Sequence, residues 1–253
     1  MLSYLARSVN LTGLSKAARA VRNCLYRQRV MFVHVPKSGG TSLSHTLRLR
    51  YPLSFFRLDE HASRAPVGNR GPDEWMTFKR ALAIYHAEIG RHFIQGHFPV
   101  TGDFVSAYSD SYKFVTILRD PVERFISMHR YDKGLRHMSL EDFTASPRGA
   151  VEARVLCHFF GELPWEGPGD IDGAVDRAIC NLRGFDVVGI LEDQDAFDTG
   201  IRRVLGYGMR LPVRNVGRHK PWTDPAPEVI EAIRDMCRFD SRIYRHFSKQ
   251  VPM

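Results

Sequence analysis

The chain has 253 residues, 43% of them hydrophobic, which is enough to bury a full core, and it reads as one domain with insertions. Its 36 Lys and Arg against 28 Asp and Glu leave a net charge of +8, suited to a polyanion without choosing among nucleic acid, anionic membrane, acidic glycan and phosphorylated cofactor. Cys24, Cys157, Cys180 and Cys237 form no C-x-x-C pair and no H-E-x-x-H occurs, so zinc and thiol redox chemistry are unsupported; buried thiols in a reducing, cytoplasmic setting are expected.

Residues 1–29 have apolar positions at amphipathic-helix spacing, but Arg7, Lys16 and Arg19 break the run well short of the ~20 apolar residues of a membrane span. They read as a helical arm ahead of a domain at 30–253. The arm is either a solvated basic helix or a peripheral contact to a membrane or partner.

Val30 to Val35 reads as a buried strand on β-branched and aromatic content, followed by a helix from Thr41 to Arg50. Between them lies "PKSGGTS", residues 36–42. A strand that ends in a Gly-rich turn and opens a helix presents backbone N–H groups at the positive end of a dipole, a ready site for phosphate or sulfate. Lys37 precedes the glycines, whereas a nucleoside triphosphatase loop, G-x-x-x-x-G-K-[ST], has its lysine after them. The expected donors are Ser38, Gly39, Gly40, Thr41 and Ser42, with Lys37 over the reacting end of the anion.

Loop composition marks Arg64 to Pro72, and a helix is expected from Asp73 to Ile89. A second strand, His92 to His97, has a histidine at each end, about 16 Å apart at ~3.3 Å per residue. Only His97 is on the carboxyl side, where open α/β sheets bind ligands. His34 and His158 stand in apolar surroundings and read as structural.

The third strand, Lys113 to Leu118, leads through Arg119-Asp120-Pro121 into a helix from Pro121 to Tyr131. Asp120 before a proline is a helix-start signal. Ser127 lies six residues beyond Pro121, roughly 9 Å along the helix, so an anion beside the first two turns could take both the Arg119 guanidinium and the Ser127 hydroxyl. The alternative is that Arg119 pairs with Asp120 or Glu123 and Ser127 faces solvent. Helices follow at Leu140 to Ala145, with Ser139 and Asp142 in the pattern of a capping box, and at Ala150 to Phe160. After a loop at Leu163 to Asp170 come a helix at Ala174 to Leu182, a strand at Asp186 to Leu191, and helices at Asp195 to Leu205 and Glu228 to Phe239. Asp224-Pro225 repeats the helix-start signal. The alternation predicts an α/β fold with a parallel sheet covered on both faces.

"FVHVPKSGGTSL" resembles the 5′-phosphosulfate loop, and "ILRDPVERFIS" the 3′-phosphate segment, of sulfotransferases that use 3′-phosphoadenosine 5′-phosphosulfate (PAPS). The likeness is to their carbohydrate branch, including heparan sulfate 2-O- and 6-O-sulfotransferases and bacterial relatives. "QGHFP", "FDVVGILEDQDAF" and "DSRIYRHF" are similar to later elements of the same family, while Tyr51 to Glu88 matches nothing in it. The resemblance implies a P-loop-like three-layer sandwich with a central parallel sheet, a PAPS site and no metal. It implies that Lys37 contacts the leaving oxygen, that Arg119 and Ser127 hold the 3′-phosphate, and that Gly217, Arg218 and Lys220 close over the nucleotide. His97, by position and by the Gly-His element, is the expected general base, with Glu60 and His61 in reserve.

The expected enzyme is a soluble, bacterial-type sulfotransferase acting on a hydroxyl of a glycan or glycolipid, with no nucleic-acid partner. A P-loop phosphotransferase and a non-catalytic polyanion-binding protein are the rival classes.

Overall fold

The computed structural model describes residues 26, 28–135, 137–208 and 225–249. Five strands form one parallel sheet: β1 (Val30–Val33), β2 (Phe55–Arg57), β3 (Phe93–Gly96), β4 (Lys113–Leu118) and β5 (Val187–Ile190), in the order β2-β3-β1-β4-β5. Around it run α1 (Gly40–Arg50), α2 (Glu60–Arg64), α3 (Pro72–Glu88), α4 (Gly102–Tyr108), α5 (Pro121–Tyr131), α6 (Leu140–Ala145), α7 (Pro147–Glu152), α8 (Val155–Phe160), α9 (Ile171–Arg183), α10 (Gln194–Leu205), α11 (Pro227–Met236) and α12 (Arg238–Ser248).

Alternation along β1 divides the core. Met31 and Val33 pack with Ile94, Phe114 and Ile190 and with Leu156, Val175 and Leu182 of α8 and α9. Val30 and Phe32 pack on the opposite face with Val115 and Ile117, under Leu43 and Leu47 of α1 and Phe197 and Ile201 of α10. Both faces of the sheet are therefore covered, which is why its central strands read as unbroken apolar runs. A smaller cluster of Phe125, Phe143, Ile233 and Cys237 ties α5, α6 and α11 together.

The expected α/β sandwich is the observed one, with differences that have local causes. β1 stops at Val33, two residues short of the expected end, and β3 and β5 are each one residue shorter at both ends. β2 was not expected; its three residues pair only with β3, at the sheet edge, too few to give an alternating pattern. The short helices α2 and α4 lie in segments for which no element was expected, each started by a side chain: Asp59 accepts from the Ala62 N–H and Thr101 from the Phe104 N–H.

The helix expected from Ala150 to Phe160 is two. Asp240, almost wholly buried, accepts hydrogen bonds from the N–H groups of Leu156 (2.8 Å) and Cys157 (3.1 Å), and so starts α8 afresh after α7. Burial raises the Asp240 pKa to about 6 despite these bonds. At the C-terminus, α11 begins at Pro227 rather than after Asp224-Pro225, because Pro227 takes the first helical position, and α12 follows it as a separate helix.

The capping signals at α5 and α6 hold. Asp120 accepts from the N–H groups of Val122 and Glu123, both at 3.0 Å. Ser139 accepts from the Asp142 N–H at 2.9 Å, and its hydroxyl donates to the Asp142 carboxylate at 2.7 Å. Ser139→Ala should therefore lower stability by about 1 kcal/mol in urea denaturation, and an unchanged midpoint would show that α6 does not depend on its cap.

Candidate active site

The order of the strands locates the site. The chain leaves β1 toward β2 on one side and leaves β4 toward β5 on the other, so the crevice beyond the carboxyl ends of β1 and β4 is a topological switch point. Register then fixes the neighbours. Val33 is level with Gly96, which brings His34 beside His97; Phe32 is level with Val115, which carries Arg119 to the level of Pro36, next to Lys37.

The first loop is tightly built. Lys37 has φ +66°, a left-handed conformation that a lysine adopts at a cost of about 1–3 kcal/mol and that glycine would take freely. Gly39, at φ +77°, has to be glycine twice over, because a Cβ there would also stand 2.5 Å from Leu191 Cδ1. A Cβ on Gly40 would lie 2.3 Å from the His34 ring, so the imidazole reaches the start of α1 only because residue 40 has no side chain. The first turn of α1 has no capping side chain and no acidic residue. Thr41 is exposed there, and Ser42 is buried. The Ser38 hydroxyl is buried with no hydrogen-bond partner among the described residues. An uncapped helix start, an unspent hydroxyl and two nearby cations together suit an anion.

Arg119 donates to the Lys37 carbonyl at 3.3 Å and lies 3.4 Å from the Glu123 carboxylate. The alternative pairing with Glu123 is thus present, and it does not take the arginine away from the first loop. The Lys37 ammonium sits 3.5 Å from the centre of the Tyr131 ring. Burial, and then the charge of Arg119, lower its pKa to about 8. Glu123, Ser127 and Tyr131 are spaced by four along α5 and share one stripe of the helix. Arg119 meets one end of that stripe and Lys37 the other, so Ser127 lies between the two cations.

Later elements brace the second loop. The Asp120 N–H donates to one Glu192 oxygen at 3.1 Å, and the Tyr244 hydroxyl donates to the other at 3.1 Å. The acidic turn after β5 and the tyrosine of α12 therefore support Asp120 while it caps α5.

On the other side of β1, the His34 and His97 rings lie 4.4 Å apart, and His34 also stacks on Phe32. His97 Nδ1 bonds to the His34 carbonyl. A carbonyl can only accept, so Nδ1 carries the proton and Nε2 keeps its lone pair. Burial holds the His97 pKa below the ordinary 6.5, against an upward pull from Glu60 and the His34 carbonyl. Burial, followed by the fields of His97, Arg57 and Lys37, holds His34 well below its usual value. Both rings are neutral at neutral pH.

A cavity of about 190 Å³ opens beside this pair, lined by Arg57, Glu60, His61, Gln95 and both histidines. A larger one, about 280 Å³, lies at the opposite, amino ends of the strands among Tyr26, Arg29, His92 and Lys113, away from both loops.

His34 corrects the sequence reading. Its surroundings are those of the site, and the pairing of β1 with β3 was the signal that would have found it. Lys37 to Ser42, Arg119, Ser127 and His97 do converge at the carboxyl edge. Glu60 and His61 line the cavity at the start of α2. Gly217, Arg218 and Lys220 lie outside the described residues, as does the arm apart from residues 26, 28 and 29.

Residues 25–148 match the family model described as the sulfotransferase family, and no curated protein matches the chain. The matched span holds β1 to β4, both loops and His97. It supports a sulfotransferase, and hence a transferase.

Proposed function

We propose, from that family match, that the chain moves a sulfuryl group from PAPS to an acceptor hydroxyl, the acceptor being a glycan or glycolipid. The carrying observation is the register of β1 between β3 and β4, which gathers Lys37, Arg119 and His97 from three separated segments at one sheet edge.

When bound, PAPS supplies the sulfuryl group: the acceptor oxygen bonds to sulfur as the bond from sulfur to the phosphate oxygen breaks, and adenosine 3′,5′-bisphosphate leaves. Lys37 would stabilise negative charge on the departing oxygen, while the start of α1 and the Ser38 hydroxyl would face the sulfuryl and 5′-phosphate end. Arg119 and Ser127 would hold the 3′-phosphate. His97 Nε2 would take the acceptor's proton. The acceptor would enter through the cavity lined by His61 and Gln95, with its hydroxyl directed at His97. Holding both reactants in line is the larger part of such catalysis.

Thermal unfolding with nucleotide tests the reading. Adenosine 3′,5′-bisphosphate at a hundredfold excess over its dissociation constant should stabilise the protein by about 2.7 kcal/mol, and adenosine 5′-monophosphate at the same concentration by far less. Equal stabilisation by both would remove the 3′-phosphate grip. Turnover is then followed as release of the bisphosphate from PAPS with glycan and glycolipid acceptors.

A further inference from the structure

Glu60 and Lys79 form a pair that the scheme above leaves unused. Lys79 is 1% exposed in the interior of α3, where a charged side chain needs an anion. It finds one in Glu60 Oε2, at 2.5 Å, and its ammonium also lies 3.7 Å from the centre of the Trp75 ring. The other carboxylate oxygen, Oε1, reaches no solvent and has no hydrogen-bond partner among the described residues. Glu60 lines the same cavity as His97, and its charge acts on that imidazole.

The other charged and titratable groups around the ring are His34 at the end of β1, Lys37 in the first loop, Arg57 at the end of β2, and Asp59 and His61 on either side of Glu60. The Lys79 ammonium and the Arg57 guanidinium both disfavour an imidazolium. Asp59 is already engaged, accepting from the Ala62 N–H at 2.7 Å. That leaves Glu60, with an unspent oxygen, as the group suited to compensate a positive ring.

We propose that Glu60, pinned by Lys79, is a positioning residue for His97: its carboxylate stabilises the imidazolium that forms when His97 takes the acceptor's proton. The inference rests on the reading of His97 as the base. No new bond is made; the proton stays on His97 Nε2, and Glu60, part-exposed at the cavity, acts on the ring through space. Lys79 holds Glu60 in place.

The test follows the His97 ring by NMR in protein labelled at histidine, the signal being identified by its loss in His97→Gln. In Glu60→Gln the ring should titrate at lower pH than in the wild type, because an attractive charge has gone. In turnover, kcat/KM should fall by up to about tenfold and its acidic limb should move to lower pH. The paired variant Glu60→Met/Lys79→Met removes both charges at once, guarding against misfolding from a lone buried ammonium; because the Lys79 charge opposes that of the larger contributor Glu60 at the ring, its ring should titrate lower than wild type by less than in Glu60→Gln. If His97 titrates at the same pH in the wild type and both variants, Glu60 only docks α2 onto α3 and the proposal fails. The titration needs no acceptor, so a failed PAPS reading would show separately, in the nucleotide-stabilisation experiment.

Discussion

His97→Ala should lower the turnover of PAPS with acceptor by about 10²–10⁴, the range by which a positioned acid–base group contributes, with the response to adenosine 3′,5′-bisphosphate preserved. The expectation comes from the ring's bonding. Its Nδ1 proton is committed to the His34 carbonyl, which leaves Nε2 as the acceptor. Burial keeps the ring neutral at pH values where an exposed histidine would be partly charged. The base form is thus present above the ring's own pKa, which lies below 6.5, and kcat/KM should fall as pH drops through that value. Turnover in His97→Ala equal to wild type would assign the proton transfer elsewhere.

Lys37→Ala should cost about 10²–10³ in kcat, comparable to removing one donor from an oxyanion hole. The native loop holds this residue in a strained left-handed conformation between Arg119 and Tyr131, so alanine also changes the loop's preferences; Lys37→Arg separates the two effects. In the wild type the ammonium loses its proton as pH rises through about 8, and kcat/KM for PAPS should decline there. Arginine stays protonated, so Lys37→Arg should keep a reduced rate with no decline near pH 8. A wild-type profile flat to pH 10 would mean that Lys37 does not carry the charge in question. Together the two residues predict a bell whose acidic limb belongs to His97 and whose alkaline limb belongs to Lys37.

Four of the five strands could be read in the sequence because burial on both faces leaves apolar runs that interrupted surface segments cannot imitate, as in Lys113 to Leu118, where expected and observed bounds agree. Asp120 before Pro121 marked the start of α5 for an equally local reason. What escaped was set by contacts far along the chain. The break between α7 and α8 depends on Asp240, more than eighty residues away, and nothing near Arg154 announces it. His34 was misjudged for the same reason, since its local sequence is that of a buried strand end and its partner, His97, comes from a strand 63 residues further on. The positions of Lys37 and Arg119 were legible because each sits at a strand-to-helix junction, whose chemistry is local, while Ser127 lies within the helix that the second junction opens.

The separation of 82 residues between Arg119 and the Lys37 carbonyl has a consequence for how the molecule comes into being. Parallel pairing of β1 with β4 closes a loop of that length, and such non-local contacts form late and slowly relative to helices. A nascent or refolding chain can therefore assemble much of its helical content while its two cationic arms are still apart. If the proposed function holds, affinity for a doubly phosphorylated nucleotide would arise only with the completed sheet, so that ligand would report on the end of folding and favour its last step.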